Sequence, residues 1–199
     1  MSRILVLGGY GGFGGRVAKR LAVAGHDVLV AGRSVGKAQA FCAGVPGLQP
    51  VVLGRNDIAA GLARHCPAIL VDASGPFQAM DHAVPAACIA AGVHYLDIAD
   101  GRDFVCGIDA LDAAARSANV VVLSGASSVP ALSGAVVRHL AEGMDRVRAV
   151  DMAISASNKA TAGPAVATAI LGQVGQPMAI WRGRRWTRAF GWQEIQSLR

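Results

Sequence analysis

The run Ile4-Leu5-Val6-Leu7-Gly8-Gly9-Tyr10-Gly11-Gly12-Phe13-Gly14 decides how this chain is read. Four consecutive apolar residues predict a strand buried on both faces, and the glycines after them predict a tight turn. Phe13, Val17, Leu21 and Ala24 fall on one stripe, which predicts a helix from about Phe13 to Ala24 with Gly25 as its stop. Inside the turn, Gly9, Gly11 and Gly14 have the spacing G-x-G-x-x-G. Each glycine answers a steric demand: one makes the tight turn, one lets a diphosphate approach the main chain, and one lets helix and strand pack closely. The start of the helix then offers unpaired N–H groups and the positive end of its dipole to an anion.

Outward from this run, short Val/Ile/Leu-rich segments alternate with helical patterns as far as about residue 143. The predicted strands are Arg3–Leu7, Asp27–Ala31, Leu48–Leu53, Ile69–Ala73, Val93–Ile98 and Val120–Leu123. Ser34, Asp57 and Asp81 are candidate N-caps for helices near 35–43, 58–65 and 82–91. Further helices are expected near 105–118 and after Pro130. This alternation predicts an α/β fold, a doubly wound parallel sheet of the Rossmann type that binds a dinucleotide through Gly9, Gly11, Gly12, Phe13 and Gly14. After Gly143 the pattern changes: Arg146–Ser155 has period-two features of a longer strand, and Ala165–Val174 looks helical. The expected organisation is a dinucleotide-binding domain over 1–143 and the start of a second, smaller α/β domain over 144–199, for substrate binding or dimerisation.

The second strand ends Val30-Ala31-Gly32-Arg33-Ser34. A site for NAD usually has Asp or Glu there, about 20 residues beyond the glycines, to accept from the ribose 2′-OH. Arg33 offers a planar cation instead and Ser34 a hydroxyl, both suited to a 2′-phosphate, so NADP(H) is the expected cofactor. The competing reading makes Arg33 a solvated loop residue and Ser34 only a helix cap. The fourth strand runs into Ala73-Ser74-Gly75-Pro76-Phe77 at the carboxyl edge of the sheet, where small residues let a ribose and nicotinamide pass close by. Its alternative is a tight turn that happens to contain Gly-Pro.

Five segments together resemble the saccharopine dehydrogenase family: Gly8–Gly14, Ala31–Ser34, Asp72–Phe77, Ala86–Asp97 and Ser124–Ser133. The first two are common to many Rossmann proteins, whereas the last three in this order are more specific. The resemblance implies an N-terminal NADP domain, a following α/β domain that binds substrate and often dimerises, and hydride transfer to or from an amino-acid-derived imine. Relatives usually continue past the equivalent of Arg199, so the resemblance implies either a fragment of a longer protein or a shortened member of the family. Acid–base candidates cluster in His94-Tyr95-Leu96-Asp97-Ile98-Ala99-Asp100. Asp97 and Asp100 are placed to position a proton or an amine, and Tyr95 to donate a hydrogen bond. The same residues also fit structural roles, the carboxylates as helix caps and Tyr95 packed in the sheet.

Composition narrows the remaining possibilities. Hydrophobic residues make up 53 % of the 199 and charged residues 16 %, which excludes a disordered chain. The net charge of +6 is uneven: residues 1–144 hold 11 Lys/Arg against 10 Asp/Glu, and residues 145–199 hold 8 against 3. Arg182, Arg184, Arg185 and Arg188 form a short basic run around Trp186, expected as a solvated face and not as a nucleic-acid contact. Cys42, Cys66, Cys88 and Cys106 are far apart with no C-x-x-C pair, so no metal site is expected and buried free thiols are. The uncharged span Ala160–Trp181 is interrupted by Gly163, Pro164, Gly175 and Pro177, which argues against a membrane helix. A soluble cytoplasmic homodimer acting on a small-molecule substrate is expected. A short-chain dehydrogenase is excluded because no Tyr-x-x-x-Lys pair exists, Tyr10 and Tyr95 being followed four residues on by Gly14 and Ala99. A non-catalytic NADP-binding sensor or interaction domain remains the competing class.

Overall fold

The computed structural model describes residues 2–154 and 163–194. The strands are β1 (Arg3–Leu7), β2 (Asp27–Gly32), β3 (Leu48–Val52), β4 (Ile69–Asp72), β5 (His94–Asp97) and β6 (Val122–Leu123). They form one sheet in the order β3-β2-β1-β4-β5-β6, with every neighbouring pair parallel. Strand and crossover helix alternate: α1 (Gly14–Val23), α2 (Val35–Cys42), α3 (Ile58–His65), α4 (Ala83–Ala90), then α5 (Arg102–Gly107) and α6 (Asp112–Ser117) between β5 and β6. This is the doubly wound arrangement. The chain moves outward from β1 to β3, then returns to β4 on the other side of β1, so the carboxyl ends of β1 and β4 open a crevice where the order reverses.

Apolar runs become strands here because both faces of the sheet are covered. Leu5, Leu7, Leu29, Ala31, Leu70 and Tyr95 pack with Ile58 and Leu62 of α3 and Val84 and Cys88 of α4. On the opposite face, Ile4, Val6, Val28, Val30 and Val71 pack with Ala18 of α1 and Cys42 of α2. The register aligns Ala31, Leu7, Asp72 and Asp97 in one row at the carboxyl edge. That row ends in two adjacent carboxylates, both fully buried.

Several expectations are corrected. The helix predicted near 105–118 is broken by a 3-10 turn at Ile108–Leu111. β6 is shorter than Val120–Leu123 because the Val121 amide donates to His94 Nδ1 at 3.1 Å, a side-chain acceptor, and leaves the main-chain ladder. A helix does follow Pro130, α7 (Ser133–Leu140), entered through a wide turn at Ser128–Leu132 that contains the proline. No strand forms over 146–154, and Ser155 lies outside the described residues. Period-two patterning needs a ladder partner, and among the described residues that segment makes no main-chain hydrogen bond. Of the four cysteines, Cys42 and Cys88 are buried, but Cys66 and Cys106 are exposed.

Chain contacts divide the protein into two compact units, 1–156 and 157–199. In the second, α8 (Pro164–Leu171) overlaps the predicted helix Ala165–Val174 but ends three residues earlier, and an antiparallel hairpin follows: β7 (Pro177–Arg182) and β8 (Arg185–Phe190). Gly183 and Arg184 both have φ of 61°, the two left-handed residues a tight hairpin turn requires. Trp181 and Trp186 pair across the strands with ring centroids 5.3 Å apart. The basic run thus belongs to a hairpin, with Arg182 bonded to Glu194 at 2.6 Å. No described helix is long and apolar enough to cross a membrane, and no metal-binding cluster exists among the described residues.

Candidate nucleotide-binding site

The turn after β1 is fixed by its own main chain. Gly8 and Gly9 both donate to Ala31 O, at 2.9 and 3.1 Å, and Gly11 N donates to Gly8 O at 2.9 Å. A Cβ at Gly9 would lie 2.7 Å from Val6 O, and one at Gly14 would overlap Gly8 O, so neither position admits a side chain. Gly14 opens α1 with Phe13 as a cap that makes no side-chain bond, and the first turn holds no acidic residue. The amides of Gly12 and Phe13 make no main-chain hydrogen bond among the described residues. Exposed donors, a positive helix end and an absence of side chains together make a cradle for an anion.

At the end of β2, Arg33 is exposed. Ser34 caps α2, its Oγ accepting from Lys37 N at 3.4 Å, so the capping role is present and its hydroxyl proton remains free to donate. Tyr10 reaches from the glycine turn to this loop: its Oη accepts from Ser34 N at 3.0 Å.

The end of β4 forms a charged knot that the sequence analysis missed. Asp72 has no exposed side-chain surface; its Oδ2 takes Arg55 Nη1 at 2.5 Å, and its Oδ1 takes Ser74 N at 2.9 Å and Ser74 Oγ at 2.6 Å. Arg55 also donates to Ser74 Oγ at 3.0 Å. Arg55 comes just after β3, so no local spacing ties it to Asp72. The knot holds Ala73 and Ser74 against the glycine turn, since a Cβ at Gly8 would lie 2.7 Å from Ala73 O and 2.9 Å from Ser74 Cα. Gly75 and Pro76 follow through a cis peptide bond and carry the chain to the buried Phe77. The structure therefore brings Gly9, Gly11, Gly12, Phe13, Gly14, Ala73 and Ser74 to one crevice, with Arg33 and Ser34 at the adjoining strand end.

The acid–base candidates separate. Asp97 is fully buried, its Oδ1 accepting from Gly125 N at 2.8 Å, Ala99 N at 2.9 Å and Ser124 Oγ at 3.0 Å. It joins the end of β5 to the loop after β6. Its Oδ2 is buried and meets no hydrogen-bond partner at bonding distance among the described residues. Tyr95 is 1 % exposed; burial, then the Asp72 and Asp97 carboxylates, push its phenol far above the ordinary value, so it stays a neutral O–H. Asp100 alone of the three is exposed, with Oδ1 accepting from Gln78 Nε2 at 3.0 Å.

Strand order, glycine cradle and crevice define a Rossmann-type α/β domain. Residues 4–160 match the family model of the saccharopine dehydrogenase NADP binding domain, and the chain belongs to that family. Among solved structures it is similar to apo saccharopine dehydrogenase (L-Glu forming) from Saccharomyces cerevisiae, with 16 % identity and a TM-score of 0.55 over 70 % of this chain and 30 % of that one. UDP-glucose-4-epimerase from Stenotrophomonas maltophila matches with 16 % identity and a TM-score of 0.48, over 62 % of this chain and 52 % of that one. These likenesses concern the fold. The chain spans about 30 % of the length of the yeast enzyme. No curated protein matches it by sequence.

Proposed function

We propose that this chain binds NADP(H) and is the coenzyme domain of an oxidoreductase that moves a hydride to or from an amino-acid-derived imine or related carbonyl. The observation that carries the reading is the cradle at the start of α1, where a side chain at Gly9 or Gly14 would strike main chain and the Gly12 and Phe13 amides are left unbonded. The residues present fit the coenzyme. Gly9, Gly11, Gly12, Phe13 and Gly14 would hold the diphosphate, and Arg33 with the Ser34 hydroxyl would hold the 2′-phosphate. Ala73, Ser74, Gly75 and Pro76 would form the wall beside the nicotinamide ribose, braced by Arg55 and Asp72. When bound, the nicotinamide supplies hydride transfer, and the protein supplies position and field. Asp100, exposed at the carboxyl edge, is the acid–base group best placed to meet a small substrate, while Asp97 ties the loop after β6 and Tyr95 packs in the core. Support also comes from the family to which the chain belongs. Substrate binding, and a homodimer in the cytoplasm, are assigned on the same reading to the part of the protein that follows Gly143.

One observation favours a second reading, a coenzyme-binding sensor without turnover: two of the three acid–base candidates, Tyr95 at 1 % and Asp97 at 0 % exposure, are out of reach of solvent. The loss of reduced-nicotinamide absorbance separates the two. Imines formed from L-amino acids with aldehydes or α-keto acids should oxidise NADPH in the presence of the protein. Tight NADPH binding with no oxidation across the panel would leave the sensor.

A further inference from the structure

Tyr10 stands at an unconstrained position of the G-x-G-x-x-G turn, where the diphosphate makes no demand on the side chain. It is nevertheless half-buried, packed against the core that the sheet forms with α1 and α2, and at the end of β2 it makes two further contacts. Its ring lies across Gly32, the last residue of β2, so closely that a Cβ there would fall within it. Its Oη accepts the Ser34 main-chain N–H at 3.0 Å. These two contacts fall on the residues that flank Arg33.

The main chain of Arg33 is therefore held on both sides. Gly32 is fixed by its pairing with β3, where Leu53 N donates to Gly32 O at 3.1 Å, and by the tyrosine ring above it. Ser34 is fixed by Tyr10 through its N–H and by its own Oγ capping Lys37 N. The Arg33 stem passes over Gly54, whose Cβ position lies 3.7 Å from Arg33 Cγ. Because the Ser34 amide is already engaged, it is not offered to a phosphate, and discrimination falls to the Arg33 guanidinium with the Ser34 hydroxyl.

We propose that Tyr10 is a specificity-setting positioning residue, tying the turn that seats the diphosphate to the loop that carries Arg33, so that the cation stands ready for the 2′-phosphate. The inference rests on the NADP(H) reading above and deepens it. An arginine on a free loop would have to be ordered when coenzyme binds; one whose main chain is already fixed loses less freedom. The effect belongs to NADPH and not to NADH, which has no 2′-phosphate for Arg33 to meet.

The test is a set of dissociation constants for NADPH and NADH, read from reduced-nicotinamide fluorescence, for wild type, Tyr10→Phe, Arg33→Ala and the double variant. Tyr10→Phe keeps the ring over Gly32 and removes only the acceptor. It should weaken NADPH about three- to tenfold, the equivalent of one hydrogen bond, while NADH changes less than twofold. In the Arg33→Ala background the same change should weaken NADPH no further, because the two residues act as a unit. Equal weakening of both coenzymes, full additivity with Arg33→Ala, unchanged affinity or tighter NADPH binding would each overturn the role of Tyr10 alone. Wild-type protein that binds neither coenzyme would overturn the NADP(H) reading and this inference with it.

Discussion

Three glycines of the turn, replaced one at a time by alanine, should give three different outcomes. A methyl at Gly14 overlaps Gly8 O, an atom that also accepts from Gly11 N and belongs to a turn held by two bonds to Ala31 O. Neither side can yield without moving α1 or the turn. Overpacking of this kind costs about 1–3 kcal/mol, and the better helix propensity of alanine offsets at most about 1 kcal/mol of it. A net loss of about 1–2 kcal/mol lowers the melting temperature by roughly 3–8 °C in a domain of this size. The displaced amides lose charge-assisted bonds of about 1.5–3 kcal/mol each, so NADPH affinity should fall at least thirtyfold. A methyl at Gly11 meets only Gly8 O, at 3.1 Å, which a small shift relieves. Its melting temperature should stay within about 3 °C of wild type while NADPH affinity falls about tenfold or more, because the methyl blocks the approach of the diphosphate. A methyl at Gly12 meets nothing within 4 Å, and that residue is needed for its amide alone, so neither quantity should change appreciably. Scanning calorimetry and coenzyme titration read both effects. Wild-type NADPH binding by Gly14→Ala, or a loss in Gly12→Ala as large as in Gly11→Ala, would refute the steric argument.

Arg55→Met leaves the buried Asp72 carboxylate without its cation and should cost about 3 kcal/mol in urea unfolding, whereas adding Asp72→Asn should recover most of that; equal stabilities for single and double variants would contradict the charge pairing. Burial, with the Asp72 carboxylate second, pushes the Cys88 thiol up from 9.0 to about 12, so the folded state holds this proton more tightly than the unfolded one. The stability it contributes is complete below pH 9 and is lost as pH rises toward 12, at no more than about 1.4 kcal/mol per pH unit, and Cys88→Ala should unfold with a shallower alkaline slope. Below pH 9 an aromatic disulfide reagent should titrate Cys66 and Cys106 in the native protein, and Cys42 and Cys88 only after unfolding. Four fast thiols would show that the core around α2 and α4 is open.

The parallel sheet was legible because a strand covered on both faces must be apolar throughout, and Ile4–Leu7, Val28–Ala31 and Ile69–Val71 have no other natural reading. The cradle was legible for a related reason: its glycines are demanded by contacts within a few residues of chain, Gly14 by Gly8 and Gly9 by Val6. What escaped depended on distant partners. Arg55 meets Asp72 only once β3 and β4 have been placed, and Tyr10 meets Gly32 at the end of β2 and Ser34 at the cap of α2, both more than 20 residues further along the chain. The hairpin β7–β8 escaped because Met178-Ala179-Ile180-Trp181 in β7 is an unbroken apolar run and Thr187-Arg188 and Ala189-Phe190 in β8 are like pairs, so neither strand alternates apolar with polar, and its Gly183-Arg184 turn has none of the usual Asn-Gly signal. Residues 146–154 misled in the opposite sense, since alternation is necessary for a half-buried strand but cannot supply the strand beside it.

The account stands on a diphosphate seated by main-chain amides at the start of α1 with Arg33 beside it, and isothermal titration of the wild-type chain with NADPH and then NADH tests that claim most directly. It predicts saturable binding of one NADPH per chain, at least tenfold tighter than NADH, the equivalent of a charge-assisted contact to the additional phosphate. Well-folded protein that gives no heat with either coenzyme, or that binds NADH the more tightly, would contradict it.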